Sequence, residues 1–423
     1  MEQQVKQLKE GFLQMQTKQE LADVLNLAKK VLYPNDDQKI ELKNITYHGN
    51  SKFSKNRYKT FVVKKKSGGE RIIQAPKKEF KSILKPLNLV FQTVFEPHKN
   101  AFGFVPQKSI VDNANRHVSK NFVYNLDLKD FFHSFDRNAV KMGIWFYGFK
   151  MDKTKESLAY LLACLCTHET EIGGKSEFVL PQGNPCSPTL TNLLCTKLDR
   201  RLNGLARRFG AEYSRYADDI TFSANKNAFK NEDFQKELKR IIEDDQQLEI
   251  QPKKTRLQGR NYRQDATGLT VNEKVNVQPR YTKQIRHYLY LWKKYGYNKA
   301  ATIFTAGYSD NRGHVKSPNA KLENVLSGKL EYLKMVKGED DSTYQTLKKR
   351  FDILANRDVE IEKIVAIWEK EGIEAAAKAN EKRKQSKTAN KLNNKKFSTF
   401  TDINELFDFS DDLAAEKVET YGK

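Results

Sequence analysis

Tyr216-Ala217-Asp218-Asp219 is the most informative stretch of this chain. Short runs of β-forming residues flank it on both sides, so it predicts a tight hairpin with both acids at its tip. Adjacent carboxylates repel each other, and a fold gains nothing from placing them there. A divalent cation bound at the tip would remove the repulsion. Other Asp-Asp pairs, all in polar or helix-end surroundings, occur at 36–37, 244–245, 340–341 and 411–412.

The composition favours a polyanionic partner. The chain has 423 residues and a net charge of +22, from 75 basic and 53 acidic side chains. Such an excess is most often matched to nucleic acid, and the alternative is a basic protein with no such partner. No apolar run approaches the roughly 20 residues that span a bilayer, and the N-terminus does not resemble a signal peptide, so we expect a cytoplasmic protein with no membrane partner. The four cysteines lack zinc-site spacing and are expected to be reduced thiols.

A second acidic strand end lies earlier in the chain, where Asp127 follows the apolar run 122–124. Two-metal nucleotidyl transfer needs carboxylates from separate strands that meet at one point. We therefore expect Asp127 and Asp218 to bind two Mg²⁺ ions, with Asp219 assisting. The ions would activate a primer hydroxyl and neutralise charge on a triphosphate. Asp130 is instead expected to cap the helix that follows it.

Three further segments predict contacts with a nucleotide. Lys65 and Arg71 flank the turn of a predicted basic hairpin, where cationic side chains suit a triphosphate. Gln182 and Gly183 lie in a Gly/Pro loop that would let the backbone approach a nucleotide closely. Lys254 is a candidate to neutralise or protonate the leaving pyrophosphate. Taken singly, the hairpin is also typical of a solvated basic surface, and the loop of an ordinary helix cap.

The order of these elements resembles that of reverse transcriptases. After the basic hairpin come NLDLKDFF at 125–132, LPQGNPCSP at 180–188, YADD at 216–219 and PKKTR at 252–256. The resemblance covers about residues 45–340. It implies an α+β right-hand polymerase with fingers, a palm made of an antiparallel sheet backed by helices, and a helical thumb.

The resemblance also assigns residues and domains. By position, Asp127, Asp218 and Asp219 match the catalytic aspartates, and Phe132 matches the aromatic residue that excludes a ribose 2′-hydroxyl, so the substrates would be dNTPs. The implied domains are N-terminal helices and fingers (1–124), palm (125–279, with a fingers insertion at about 141–178), thumb (280–338) and a C-terminal extension (339–423) with a basic linker (381–396) and an acidic tail (397–423).

Within the family the chain most resembles retron enzymes, through an NAxxH signature at 113–117 and Ala-Thr-Gly at 266–268, where retron enzymes usually carry Val-Thr-Gly. The resemblance implies a cognate structured non-coding RNA, priming from an RNA 2′-hydroxyl, a single-stranded cDNA product (msDNA), and an effector protein in antiphage defence. The residues then expected to contact RNA are Asn113, His117, Thr267, Gly268, Lys283 and Arg286.

Two other interpretations remain open at this point. One is a different prokaryotic reverse transcriptase, either group II intron-like or another defence polymerase. Intron enzymes often carry a zinc-bearing endonuclease at their C-terminus, and here no cysteine follows Cys195 and no histidine follows His314. The other is a non-catalytic RNA-binding protein with a polymerase fold, against which the three intact acidic positions argue.

Overall fold

The computed structural model describes residues 2–50, 56–64, 69–311, 320–355, 364 and 367–382. The chain divides into two units, Met1–Leu347 and Lys348–Lys423. In the second unit, residues 367–371 and 373–382 are helical. Lys65, the acidic tail at 397–423 and all but the first two residues of the predicted basic linker lie outside the described residues.

The first unit mixes helices with antiparallel strands. The helices are α1 (Glu2–Gln14), α2 (Lys18–Leu32), α3 (Leu42–Gly49), α4 (Lys78–Val94), α5 (Ile110–Asn115), α6 (Arg137–Gly143), α7 (Glu156–Cys166), α8 (Ser187–Leu194), α9 (Thr196–Arg208), α10 (Glu232–Lys239), α11 (Pro279–Asn311), α12 (Leu322–Lys337) and α13 (Ser342–Leu354), the last of which runs past the end of that unit. The strands are β1 (Tyr58–Lys64), β2 (Glu70–Pro76), β3 (Phe122–Asp127), β4 (His168–Ile172), β5 (Lys175–Val179), β6 (Glu212–Tyr216), β7 (Asp219–Ala224), β8 (Arg256–Gly259), β9 (Asp265–Ala266) and β10 (Leu269–Thr270).

A four-stranded antiparallel sheet lies at the centre, with strand order β6-β7-β3-β8. Its two faces differ because side chains alternate along a strand. On one face Phe222 packs edge-to-face on Phe234 of α10, with ring centroids 5.5 Å apart. On the other face the Thr221 hydroxyl donates to Asn125 Oδ1 at 3.0 Å. The sheet thus has an apolar face backed by helices and a polar face that carries the candidate site, which confirms the predicted α+β class.

The predicted basic hairpin is confirmed as β1 and β2, which pair from Tyr58↔Pro76 to Lys64↔Glu70. Helix α11 contains a break at Gly296, whose φ of 80° is in the left-handed region that glycine adopts without strain. Among the described helices, none is both long enough and apolar enough to cross a membrane.

Candidate active site

The Tyr216-Ala217-Asp218-Asp219 stretch forms the predicted hairpin between β6 and β7. Strand β6 ends at Tyr216 and β7 begins at Asp219, and these two residues pair across the turn. Ala217 has a positive φ of 58°, as the first position of a two-residue II′-type turn requires. Asp218 therefore lies in the turn, whereas Asp219 is the first residue of a strand.

Asp127 meets the other two acids at the same end of the sheet. It is the last residue of β3 and lies directly opposite Asp219 in the β3–β7 register. The next residue, Leu128, donates its backbone N–H to the Asp218 carbonyl at 3.1 Å. Side chains directly opposite each other on paired strands are close neighbours on one face. The predicted convergence of carboxylates from separate strands is therefore present.

The negative charges of these three carboxylates repel one another. Burial and then the Asp127 charge raise the pKa of Asp218 above its ordinary value. Asp219 keeps solvent-accessible surface, yet neighbouring protein atoms remove part of its hydration. This loss of hydration, followed by repulsion from Asp218 and Asp127, raises the pKa of Asp219 to about 7. Such a cluster has a net affinity for positive charge.

Part of that positive charge comes from Lys254. Its Nζ lies 2.6 Å from Oδ1 and 2.9 Å from Oδ2 of Asp127. The segment that carries Lys254 is anchored to the same acid, because the Gln251 N–H donates to the Asp127 carbonyl at 2.8 Å. Sequence reasoning assigned Lys254 to the leaving pyrophosphate, a role that stays a prediction. Its observed partner is the candidate metal ligand itself.

The donor chemistry of the site suits a divalent cation. Mg²⁺ prefers carboxylate oxygens as ligands. The three carboxylates of Asp127, Asp218 and Asp219 repel one another here. Among the described residues, however, no group of three or more His, Cys, Asp or Glu side chains is already arranged to hold a metal ion. Lys254 contacts both oxygens of Asp127, so its ammonium competes with a metal ion for that carboxylate.

The β1–β2 hairpin and the Gly/Pro loop reach the site together. The backbone N–H of Gln74 in β2 donates to the Gln182 carbonyl at 2.8 Å. Gly183 has a φ of 131°, and a Cβ added there would lie 2.5 Å from the Gln74 carbonyl oxygen. Only glycine fits this close approach. Arg71, exposed on the same strand, is near enough for its charge to lower the pKa of Asp218, which offsets part of the effect of burial.

Phe132 lies in a run of turns between β3 and α6 and is half-buried. Its ring centroid is 6.1 Å from that of Phe104. Phe104 is 41% exposed and has a φ of 62°. A positive φ at a bulky exposed aromatic residue is uncommon and often marks a functional position.

The prediction for Asp130 is wrong. Asp130 has a φ of 45° and caps no helix. Helix α6 begins later, and its N-cap is Asp136, whose side chain accepts from the Ala139 N–H. Phe131 and Phe135 are both buried. We infer that burying both rings holds this segment in turns and delays the start of the helix.

The chain is similar to known reverse transcriptases. The family model for reverse transcriptase (RNA-dependent DNA polymerase) matches residues 63–285, more than half of the chain. The retron Ec86 reverse transcriptase of Escherichia coli is 34% identical over 248 residues, which cover 56% of this chain and 71% of that relative. This chain belongs to the reverse transcriptase family, and within it to the retron type.

One further relative is matched over only half of its length, and one solved structure is only distantly similar. The retron Mx65 reverse transcriptase of Myxococcus xanthus is 38% identical over 223 residues, so the chain spans about half of that relative's length (51%). The structure of apo telomerase from Candida tropicalis has a TM-score of 0.40 and 14% identity, and covers 80% of this chain and 68% of that one. In the domain division predicted from the sequence, the β1–β2 hairpin falls in the fingers and the four-stranded sheet in the palm. The domain boundaries stay predictions.

Two of the predicted RNA contacts of this retron-type reverse transcriptase are wrong. His117 is 0% exposed, and its ring nitrogens lie 2.8 Å from Ser223 Oγ and 2.7 Å from Ser214 Oγ. Asn113 is 1% exposed and donates through Nδ2 to Thr267 Oγ1 at 3.2 Å. Direct contact of either side chain with RNA is therefore excluded in this structure. His117 joins the segment after α5 to the palm sheet, and Asn113 joins α5 to the β9–β10 hairpin.

The other predicted RNA contacts are accessible to different degrees. Thr267 and Gly268, with φ values of 48° and 81°, form the two-residue turn between β9 and β10. Gly268 is exposed and Thr267 half-buried. Lys283 and Arg286 are exposed on α11. Their contact with RNA stays a prediction.

The buried His117 gives a testable dependence of stability on pH. Burial lowers the pKa of His117 to about 3 in the folded protein, whereas in the unfolded chain His117 has its ordinary pKa of 6.5. Below pH 6.5 the unfolded state therefore holds the extra proton, and stability falls as the pH drops towards 3. At pH 5 we expect His117 alone to reduce the free energy of unfolding by about 2 kcal/mol relative to pH 7.

Urea unfolding of the natural protein and His117→Gln at pH 7 and pH 5 measures this effect. Glutamine keeps a hydrogen-bonding side chain but does not titrate. The His117→Gln variant should therefore lose less stability between pH 7 and pH 5 than the natural protein does. Equal losses in both proteins would contradict the assigned pKa.

Proposed function

We propose that this chain is the RNA-directed DNA polymerase of a retron. It copies part of a cognate structured non-coding RNA into single-stranded DNA, primed by a 2′-hydroxyl of that RNA. The observation that carries the proposal is the meeting of Asp127, Asp218 and Asp219 at one end of the palm sheet, where burial and mutual repulsion raise the pKa of Asp218 and Asp219. The net charge of +22 supports a nucleic-acid partner.

The three acids are proposed to hold two Mg²⁺ ions, which when bound would activate the primer hydroxyl and neutralise triphosphate charge. The protein side chains around them have separate tasks. Arg71, exposed on β2 within electrostatic reach of Asp218, would bind phosphate oxygens of the incoming dNTP. Gln182 and Gly183 would line the nucleotide site, where their loop is hydrogen-bonded to β2.

Phe132 is proposed to select dNTPs. By its position five residues after Asp127, Phe132 matches the aromatic residue that in the family lies beside the nucleotide sugar, and its ring here is half-buried and 6.1 Å from that of Phe104. An aromatic ring against C2′ leaves no room for a ribose hydroxyl.

Partners beyond the template are also proposals. The retron likeness supports a cognate RNA and an effector protein that act together in antiphage defence. Lys283 and Arg286, exposed on α11, are suited to RNA phosphates. The Thr267-Gly268 turn presents the exposed backbone of Gly268 at the surface of the β9–β10 hairpin, while the Thr267 hydroxyl bonds to Asn113.

Primer extension on an RNA template tests the enzymatic part of the proposal. The purified protein should incorporate dNTPs when Mg²⁺ is present and stop when EDTA is added. Failure to extend any primed RNA, by a protein that is folded and binds RNA, would instead support a non-catalytic RNA-binding protein.

Lys254→Met should lower kcat for primer extension by about 100-fold, the scale of a lost general acid or charge partner, with a smaller change in the KM for dNTP. The reason is that Lys254 neutralises Asp127 in this structure, and during the reaction its ammonium would neutralise or protonate the leaving pyrophosphate. Lys253→Met is the matched control, since Lys253 is exposed on the same short helix. Equal activity of the two variants would contradict a role for Lys254.

A further inference from the structure

An ion pair with no solvent exposure lies beneath the Ala217–Asp218 turn. It joins Arg215 of β6 to Asp199 of α9, and both side chains are 0% exposed. Arg215 Nε donates to Asp199 Oδ1 at 2.7 Å, and Nη2 donates to Oδ2 at 2.7 Å. The Tyr213 hydroxyl donates to Asp199 Oδ1 as well, at 2.7 Å.

Stability alone is a weak reason for such a pair. Removing two charges from water costs several kcal/mol each, and apolar replacements of buried pairs are often neutral or stabilising. A buried pair can instead serve to select one local conformation, with its remaining donors directed at the segment that must be fixed. The remaining donors of Arg215 therefore matter.

Those donors reach the catalytic turn. Arg215 Nη1 donates to the Ala217 carbonyl at 3.1 Å, and Nη2 also donates to Asn192 Oδ1 at 3.1 Å. Asn192 in turn donates through Nδ2 to the Gly103 carbonyl at 2.9 Å. One guanidinium thus links the turn, helix α9 through Asp199, and helix α8 through Asn192.

Gly103 holds the same turn from another side. A Cβ at this position would lie 2.5 Å from the Ala217 nitrogen and 3.0 Å from the Tyr216 carbonyl carbon. The backbone around Gly103 therefore packs directly on the turn. Ala217 needs such support, because its φ of 58° costs a non-glycine residue about 1 kcal/mol or more.

We propose that Asp199, Arg215 and Asn192 are positioning residues, which hold the Ala217–Asp218 turn in its strained conformation and so place the Asp218 carboxylate at the end of the sheet where Asp127 and Asp219 lie. None of the three is proposed to touch substrate. The inference rests on the proposed function, since it assigns these residues to the same polymerase site.

Two variants test the proposal. Arg215→Lys keeps the charge that Asp199 requires, but an ammonium lacks the planar fork that reaches Asp199, Asn192 and Ala217 together. The double variant D199N/R215Q removes both charges at once, so that no uncompensated charge stays buried if the single variant fails to fold. The matched control is R201Q/D245N, which removes the pair between Arg201 of the same helix and Asp245, where both side chains are partly exposed.

Three measurements are made on each protein: the melting temperature, the affinity for Mn²⁺ alone by electron paramagnetic resonance, and kcat and KM for dNTP in primer extension. In both Arg215 variants we expect Mn²⁺ to bind about tenfold more weakly and kcat to fall about 10- to 100-fold, the scale of a catalytic group displaced by about 1 Å. KM should stay within about threefold, because the interaction is not made with the nucleotide. The control should retain the natural Mn²⁺ affinity and kcat.

Natural Mn²⁺ affinity and natural kcat in folded Arg215 variants would overturn the proposal. The proposal would also fail if Mn²⁺ affinity and kcat fell in proportion to the melting temperature in the Arg215 variants and in R201Q/D245N alike. The network would then have only a structural role. If the natural protein extends no primer, the proposed function fails, and the Mn²⁺ comparison still decides whether the network positions Asp218.

Discussion

Replacement of Asp218 by asparagine is expected to abolish DNA synthesis while leaving the protein folded and able to bind RNA. An amide has the size of the carboxylate but not its charge, so the metal-dependent stabilisation of the transition state is lost. At roughly 1.4 kcal/mol per tenfold, a loss of about 4 kcal/mol corresponds to about a thousandfold in rate.

The same change should raise or preserve the melting temperature of the metal-free protein. The pKa of Asp218 is raised by burial and by Asp127, and Asp218 in turn raises the pKa of Asp219, so a neutral side chain relieves this repulsion. Asp37→Asn is the matched control, because Asp37 belongs to an exposed Asp-Asp pair. Primer extension and thermal unfolding of both variants give the answer. Normal extension by Asp218→Asn would remove Asp218 from the catalytic set.

The second large effect is expected from Phe132→Ala. Removing the ring should open the space beside the sugar and reduce discrimination against ribonucleotides by about 100-fold, the scale at which pockets separate substrates that differ by one hydroxyl. The measurement is the ratio of kcat/KM for each dNTP to that for the matching ribonucleotide.

Two controls sharpen this test. Phe132→Tyr keeps the ring and should keep the discrimination. Phe146→Ala removes an aromatic side chain that is 55% exposed, and it should change nothing. An unchanged ratio in Phe132→Ala would assign the selection of dNTPs to another residue, with Phe104 as its closest aromatic neighbour among the described ring pairs apart from Phe131.

Features of the site that depend on local sequence were predictable. The β6–β7 hairpin follows from β-forming residues on both sides of a two-residue turn. The end of β3 at Asp127 was equally clear, because an apolar run gives way to charged residues there. These signals lie within a few residues of the feature that they specify.

Features that depend on distant partners were not predictable. Lys254 and Asp127 are 127 positions apart, and nothing local to either residue indicates their contact. The Asp199–Arg215 pair combines a charged residue on a helix with one on a strand, and each alone is typical of a solvated surface. His117 was misjudged for the same reason, since only the folded sheet supplies the two serine hydroxyls that make its burial tolerable.

The proposed function requires this chain to make DNA from its own RNA with Asp218 in the catalytic site. The most direct measurement is to purify the protein from cells that carry its natural gene locus and to sequence the bound nucleic acid before and after treatment with a debranching enzyme. For the natural protein we predict RNA joined to single-stranded DNA through a 2′-hydroxyl branch, and for Asp218→Asn the same RNA without DNA. Linear cDNA without a branch, RNA alone with the natural protein, or DNA with the Asp218→Asn variant would contradict the account.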